Sequence, residues 1–278
     1  MPSLTPGSVR DLLAAHGCRP SRALGQHFLA DPNLAQKIVR LADVEPGDRV
    51  VEIGPGVGSL TVALAEAGAQ VVALELDQHL LPVLAEVLAD SDHPDAVEVV
   101  HGDAMTADFR ALTAGDRWAC VSNLPYNVAT PMVMRLLDEF PEMTRCLVMV
   151  QKEVGERLVA GPGTKAYGAV SVKVAYYARA RMVGTVAATV FVPPPNVASA
   201  LVRLDRLDAP PVDVPSPEAL FALVRAGFGQ RRKTLRRSLA SALGDRTEAV
   251  LVAAGVDGSA RAETLTLDDW ARVCREAA

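Results

Sequence analysis

Several large functional classes are excluded by what this 278-residue sequence lacks. Its four cysteines, Cys18, Cys120, Cys146 and Cys274, are scattered with no CxxC pair and no metal-ligand spacing. That argues against a disulfide framework or a metal module, and no metal is expected. Two of them lie in apolar, strand-like runs, and all are expected to be buried reduced thiols. No run of about 18 uncharged apolar residues occurs, so no membrane span is expected. Met1 to Arg10 has no basic stretch followed by an apolar core, so no secretory leader is expected. A cytoplasmic protein without a membrane partner is expected. The chain has no internal repeat and no low-complexity tract, which argues against solenoid and disordered architectures.

Positive charge is not in excess either. The formal net charge is -5, and as an average that argues mildly against a nucleic-acid partner. The charges are segregated, however. From Arg225 to Arg237 there are six basic residues and no acidic one, whereas acidic residues concentrate before residue 120 and after residue 244. Beyond a Debye length of about 8 Å distant charges are screened, so a local positive face can bind phosphate on an acidic protein. Net charge by itself leaves the partner open.

Half of the residues are hydrophobic, enough for one well-cored domain of about 200 residues and a smaller second one. From Arg49 to Gln151 one unit recurs: a short Val/Ile/Leu run, a turn rich in Gly, Asp or Asn, then a helical pattern. This is the signature of a parallel, doubly wound α/β sheet. Strands are predicted over 49–53, 70–76, 97–101, 118–122 and 146–150, with two more near 179–186 and 198–204. Apolar residues three and four apart predict helices over 59–67, 78–89, 130–139 and 169–177. Asp31 is placed to cap a further helix with Pro32 at its first position. The segment 208–217 holds four prolines in ten residues and can be neither a helix nor a central strand. It is predicted to link a domain over 1–207 to an all-helical one over 218–278, with breaks at Gly227, Gly244 and 255–258.

Chemistry concentrates at the strand ends. Glu52-Ile53-Gly54-Pro55-Gly56-Val57-Gly58 turns the first strand of the sheet into a helix, and its glycines permit positive φ and close backbone approach. The spacing is GxGxG rather than GxGxxG, which argues against a dinucleotide, and a glycine turn alone is equally an ordinary tight turn. Glu75 ends the second strand about 20 residues later, where a carboxylate can accept both hydroxyls of a ribose. Asp103 ends the third, where it can accept an adenine amino group with Ala104 and Met105 flanking the ring. Each acid alone could be a solvated strand end. Together, glycines, Glu and Asp at three successive strand ends resemble the layout of the class I methyltransferases. The resemblance implies a Rossmann-like sheet and S-adenosylmethionine as cofactor, with Gly54, Gly56, Gly58, Glu75, Leu76, Asp103 and Ala104 in contact with it.

Asn123-Leu124-Pro125-Tyr126 follows the fourth strand directly. The adenine amino nitrogen is a poor nucleophile because its lone pair is delocalised into the ring. The Asn123 side-chain oxygen and the Leu124 carbonyl, held extended by Pro125, can accept its two protons and favour the pyramidal nitrogen that attacks a methyl group. Tyr126 can stack on a base flipped out of its helix, a contact of about 1 to 3 kcal/mol. No general base is needed, since transfer from a sulfonium disperses charge and alignment supplies most of the acceleration. A proline-stabilised turn after a buried strand is the plain alternative. The tetrapeptide resembles that of methyltransferases acting on adenine amino groups in DNA and RNA alike.

A second resemblance narrows the class. Leu24-Gly25-Gln26-His27-Phe28-Leu29-Ala30-Asp31 is similar to the opening motif of the ribosomal RNA adenine dimethyltransferases. That implies a segment closing over the cofactor through Gln26, His27 and Leu29, although the family usually has Asn where this chain has His27. Segments 152–168, 191–199 and 228–235 resemble the branch that dimethylates adenosines of small-subunit rRNA. Phe191 is then expected either on the other face of the target base or in the core. Asn123 is expected to face both adenine and cofactor.

Arg231, Arg232, Lys233, Arg236 and Arg237 are placed on one predicted helix with Leu235 and Leu239 on its core side. Residues 232 and 236, and 233 and 237, would then stack on one face. With no acidic residue interleaved, contact with RNA phosphate is favoured over a merely solvated face. Arg157, Lys165 and Lys173 extend the track. The expected protein is a monomeric, S-adenosylmethionine-dependent enzyme that modifies rRNA in the small ribosomal subunit or its precursor. An antibiotic-resistance methyltransferase of large-subunit rRNA and a non-catalytic RNA-binding assembly factor are the alternatives, and a dehydrogenase is disfavoured by the glycine spacing.

Overall fold

A computed structural model describes residues 4–278. The first three residues of the N-terminal stretch lie outside them. Nine strands are described: β1 (Phe28–Leu29), β2 (Arg49–Ile53), β3 (Gln70–Glu75), β4 (Val97–His101), β5 (Trp118–Asn123), β6 (Met143–Gln151), β7 (Ala178–Val186), β8 (Phe191–Val192) and β9 (Ser199–Arg206). Seven of them form one sheet in the order β4-β3-β2-β5-β6-β9-β7. Its β4-β3-β2-β5-β6 part is parallel, and β9 runs antiparallel to β6 with Val148 opposite Val202. The central strands are apolar on both faces because helices cover both sides of a parallel sheet, and β5 is buried over Trp118 to Val121. The edge strand β4 is only half-buried.

Chain order and sheet order diverge at one place. From β2 the chain goes outward to β3 and β4, then crosses back to place β5 on the other side of β2. At such a switch point the loops leaving the carboxyl ends diverge and open a crevice. Residues of β1 pair antiparallel with β8, Leu29 opposite Phe191 and Phe28 opposite Val192. This brings the segment before the sheet alongside the one preceding β9.

Boundaries moved little from those predicted. The strand predicted over 146–150 runs from Met143 to Gln151, and the helix predicted from 78 begins as a 3-10 turn, Gln78–Leu80, before the α-helix Leu81–Ala89. Asp31 does cap the helix Pro32–Leu41, its carboxylate accepting the Leu34 N–H at 3.0 Å. Cys120, Cys146 and Cys274 are buried, but Cys18 is only half-buried, its thiol directed to the His79 carbonyl.

The chain forms two compact units. One comprises the described residues through Gly155 together with Arg181–Arg206, and it carries the sheet apart from the first residues of β7. The other comprises Glu156–Ala180 and Leu207–Ala278. The helix Ala169–Tyr177, counted with the first domain from its position in the chain, therefore packs with the C-terminal helices. Its Val172 and Tyr176 share a core with Leu220, Val224, Leu235 and Trp270. Periodicity shows that a helix has an apolar face, not which unit that face joins.

The break expected at Gly227 does not occur, because the helix Pro217–Gly229 runs through it. A Cβ there would stand 2.5 Å from Cη2 of Trp270, which is fully buried. Glycine is present to admit the indole, not to end the helix. Gly227→Ala should destabilise the protein by about 1 to 3 kcal/mol through overpacking. It should lower the urea midpoint at constant slope, and an unchanged midpoint would show that the indole moves freely.

Candidate active site

The loops at the switch point enclose a cleft of about 990 Å³ including its open mouth. Ile53 to Val57 follow β2 into it, Glu75 and Leu76 end β3, Gly102 to Met105 follow β4, and Asn123 to Val128 follow β5. Leu24 to Leu29 form its remaining wall. Thus Gln26, His27, Leu29, Gly54, Gly56, Glu75, Leu76, Asp103, Ala104 and the whole of Asn123 to Tyr126 share one cavity.

Gly58, expected there, is elsewhere, and Phe191 takes the core, the second of its two expected places. Gly58 (φ 89°) caps the helix Ser59–Glu66 and does not line the cleft. A Cβ on it would meet Leu84 Cδ1 at 2.8 Å, so its small size serves packing against the helix Leu81–Ala89. Phe191 is 2% exposed and belongs to the core with Leu29, Leu60 and Met149 rather than to the cleft wall. Its pairing through β8 with Leu29 commits the ring to the interior. Gly56 is needed locally as well: at φ 59° a Cβ would stand 2.7 Å from Phe28 Cδ1.

The segment before β2 is tied down at several points. Ser59 Oγ donates to the Leu29 carbonyl, and Gln26 Nε2 donates to Asp77 at 2.8 Å while its Oε1 accepts the Ser21 N–H at 2.7 Å. His27 Nδ1 donates to the Pro193 carbonyl at 2.8 Å. The Gln26 amide and the His27 Nδ1 thus shape the wall by bonding to protein.

Glu75 is 5% exposed; its carboxylate accepts the N–H groups of Gly56 (3.0 Å) and Asp77 (2.8 Å). It couples the glycine turn to the end of β3, and burial raises its pKa. Asp103 is exposed, with one oxygen accepting the Met105 N–H at 2.8 Å. Leu76 presents an apolar side chain, 49% exposed, on the same wall.

Asn123 is the polar centre of the cleft. Its Nδ2 donates to the His27 carbonyl at 2.9 Å, while its Oδ1 is buried and has no hydrogen-bond partner. The next residue is fixed by the sheet, Leu124 N–H donating to the Met149 carbonyl at 3.1 Å. Tyr126 is held by its hydroxyl, 2.6 Å from Ser199 Oγ, and its ring centre lies 5.1 Å from that of His27. Burial raises the Tyr126 pKa, so the phenol stays protonated.

One residue of the site was overlooked in the sequence. Glu52 lines the cleft at 1% exposure, and its Oε2 has no partner. Burial, reinforced by the charge of Glu75, pushes its pKa up to about 8. The signal was available: a carboxylate inside the otherwise apolar Val50-Val51-Glu52-Ile53 is out of place in a strand buried on both faces.

The basic residues lie in the second unit and do not share one helix. Residues 231–233 form a turn, and the helix Leu235–Ser238 carries only Arg236 and Arg237. Acidic partners are also present, brought from further along the chain. Arg236 pairs with Glu248, and Arg231 donates to the Lys165 and Tyr167 carbonyls beside Glu263. Lys173 lies over the Phe221 ring at 5.3 Å. Arg232, Lys233 and Arg237 are exposed, and among the described residues they have no ion-pair partner. No helix among the described residues is long and apolar enough to cross a membrane.

Comparison with known proteins adds the following. A family model described as ribosomal RNA adenine dimethylase matches residues 19–278. The ribosomal RNA small subunit methyltransferase A of Streptomyces coelicolor is 47% identical over 274 residues, spanning 97% of this chain and 95% of that protein. The crystal structure of a dimethyladenosine transferase from Plasmodium falciparum is similar with a TM-score of 0.72 at 23% identity, over 89% of this chain and 96% of that one. That of the 23S rRNA methyltransferase ErmE is similar with a TM-score of 0.70 at 28% identity, over 90% and 98%.

The raised Glu52 pKa has a sign that can be checked. A carboxyl protonated in the folded state and ionised in the unfolded one stabilises the fold at low pH, and that contribution is lost as pH rises from its ordinary 4.5 through about 8. Glu52→Gln removes this dependence. The melting temperature of the cofactor-free variant should therefore gain on that of the wild type as pH is raised across this window. A difference that stays flat would mean that Glu52 keeps an ordinary pKa.

Proposed function

Because the chain belongs to the ribosomal RNA adenine dimethylase family, we propose that it transfers methyl groups from S-adenosylmethionine to the exocyclic amino group of adenosines in small-subunit rRNA. Two rounds on one nitrogen give dimethyladenosine during maturation of the small subunit. The observation that carries the reading is the Asn123 amide, with its Nδ2 spent on His27 and its Oδ1 buried, unpaired and in the wall of the cleft. A buried acceptor without a partner costs about 1 to 3 kcal/mol, a cost that an incoming N–H donor removes. The amino group of adenine is such a donor.

The residues present fit the cofactor. The buried Glu75 carboxylate is placed for the ribose hydroxyls, Asp103 with Ala104 and Met105 for the adenine, and Leu76 for its apolar face. Gly54 and Gly56 would bring backbone close, and the segment of Gln26, His27 and Leu29 would close over the ligand. When bound, S-adenosylmethionine supplies an electrophilic methyl group on a cationic sulfur. The Glu75 carboxylate, held by two backbone N–H groups, faces the cleft and favours a cation, and the protonated Glu52 beside it can ionise to add to that.

The chain's own contribution is alignment. Asn123 Oδ1 and the Leu124 carbonyl accept the two amino protons of the target base. Pro125 restricts Leu124 to extended backbone, so that carbonyl is held in place. Tyr126, fixed by Ser199, offers its ring to the base. In-line placement of amine and methyl donor then supplies the acceleration, without a base acting before attack.

Small-subunit RNA is preferred to large-subunit RNA as the substrate because the near full-length identity of 47% to a small-subunit enzyme far exceeds the 28% to the 23S enzyme. A purely non-catalytic assembly role is disfavoured by the intact Asn123, Glu75 and Asp103. Asn123→Ala should abolish transfer while leaving cofactor binding within about tenfold, since its lost acceptor serves the base and a single hydrogen bond to His27 is worth about 1 kcal/mol. Rapid transfer by the variant to small-subunit particles, read by mass spectrometry of digested RNA, would remove Asn123 from its role.

For the RNA surface, the free cations are the ones to test. Glutamate in place of Arg232, Lys233 or Arg237 should weaken RNA binding and flatten its salt dependence by about one unit of log–log slope per lost phosphate contact. Substitution of Arg231 or Arg236, which are already paired within the protein, should change that slope less. Equal effects at all five positions in filter binding across a potassium chloride series would refute the distinction.

A further inference from the structure

Arg135 stands in the middle of the helix Ala129–Glu139, which begins directly after the Asn123 to Val128 wall. It does not line the cleft, and its side chain is 13% exposed. Its guanidinium donates through Nη1 to the Ala104 carbonyl (2.5 Å) and through Nη2 to the Ala107 carbonyl (2.8 Å). Nε donates to Glu139 one turn further along, at 2.9 Å. The Cζ atom lies 5.6 Å from the ring centre of Phe109 and 5.1 Å from that of Phe140. These two buried rings pack edge to face beside Trp118.

The loop that Arg135 holds carries Asp103, Ala104 and Met105. Its other bonds are mostly internal: the N–H groups of Thr106 and Ala107 donate to the Asp103 carbonyl, and that of Met105 to the Asp103 carboxylate. They set the shape of the loop, not its position. Its start is anchored by the Gly102 N–H donating to the Glu75 carbonyl at 2.9 Å. Arg135 anchors its far end. A planar guanidinium offers a fixed fork of donors that reaches both carbonyls and Glu139 while lying against both rings, and a single ammonium centre has no such spread of donors.

We infer that Arg135 is a positioning residue that sets the adenine wall of the cofactor site and registers it against the helix following the methyl-transfer motif. The inference rests on the reading that this cleft takes S-adenosylmethionine. Met132, on the same helix, also lines the cleft, so one element carries both the loop anchor and part of the cavity. Without the anchor, the loop keeps its internal turn but loses its distance from Asn123.

The test uses the full-length protein and two probes, S-adenosylhomocysteine and its inosine analogue, which has a carbonyl in place of the adenine amino group. Wild type should bind the adenine form more tightly than the inosine form. Arg135→Met should weaken S-adenosylhomocysteine at least tenfold and narrow that discrimination, raising KM for S-adenosylmethionine while kcat at saturation changes less than threefold. Arg135→Lys, which keeps a cation beside the rings but loses the fork of donors, should fall between, and it decides the matter if the methionine variant does not fold. Equal weakening of both probes, or unchanged discrimination in a folded variant, overturns the inference. Failure of the wild type to bind either probe instead overturns the reading of the cleft.

Discussion

The Asn123 side-chain amide is the contact around which the rest of the molecule is arranged. Its Nδ2 reaches 96 positions back along the chain to the His27 carbonyl and so joins the end of β5 to the segment ahead of the sheet. Its Oδ1 is left buried and unpaired. An isolated peptide would rotate that amide into water; here the surroundings prevent it. Leu124 is held by β6, the Leu29 carbonyl by Ser59, and residues 28 and 29 by β8. The fold therefore sustains an unfavourable acceptor in the place where a donor is useful, as expected of a site built before its substrate arrives.

The same logic governs the acids of the cleft. Glu52 and Glu75 are buried on adjacent strands with raised pKa values, and Glu75 is partly compensated by two backbone N–H groups. A carboxyl kept protonated by burial can ionise when a cation arrives beside it, so the protein meets a positively charged ligand without carrying two buried anions in its absence. Asp103 differs because it is exposed and locally bonded, and its position depends on how its loop is anchored rather than on burial.

In the second unit, two of the five residues that read as a cationic stretch are used internally. Arg231 and Arg236 complete helix and loop contacts, while Arg232, Lys233 and Arg237 remain directed to solvent. Charge counting along a sequence treats these residues as equivalent. Tertiary pairing separates them, because Glu248 and Glu263, 12 and 32 positions away, fold back onto two of the five.

The sheet, its strand ends and the place of Asn123 to Tyr126 at the cleft were legible in the sequence because they depend on local order: continuous apolar runs, glycines at a turn, a carboxylate at a strand end. The class I methyltransferase fold and the family were reached through the resemblance those motifs carry, and the family model and relatives bear it out. Three things were decided only by the tertiary structure. Packing placed Gly58 against Leu84 and off the cleft wall, and decided between base and core for Phe191 in favour of the core. The helix Ala169–Tyr177 joined the C-terminal core, and the single basic helix became a turn and a short helix. Arg135 acquired partners, the Ala104 and Ala107 carbonyls, that no local pattern specifies. Burial, orphaned acceptors and the anchoring of one loop by a distant helix are properties of surroundings, and surroundings are assembled from residues far apart in the chain.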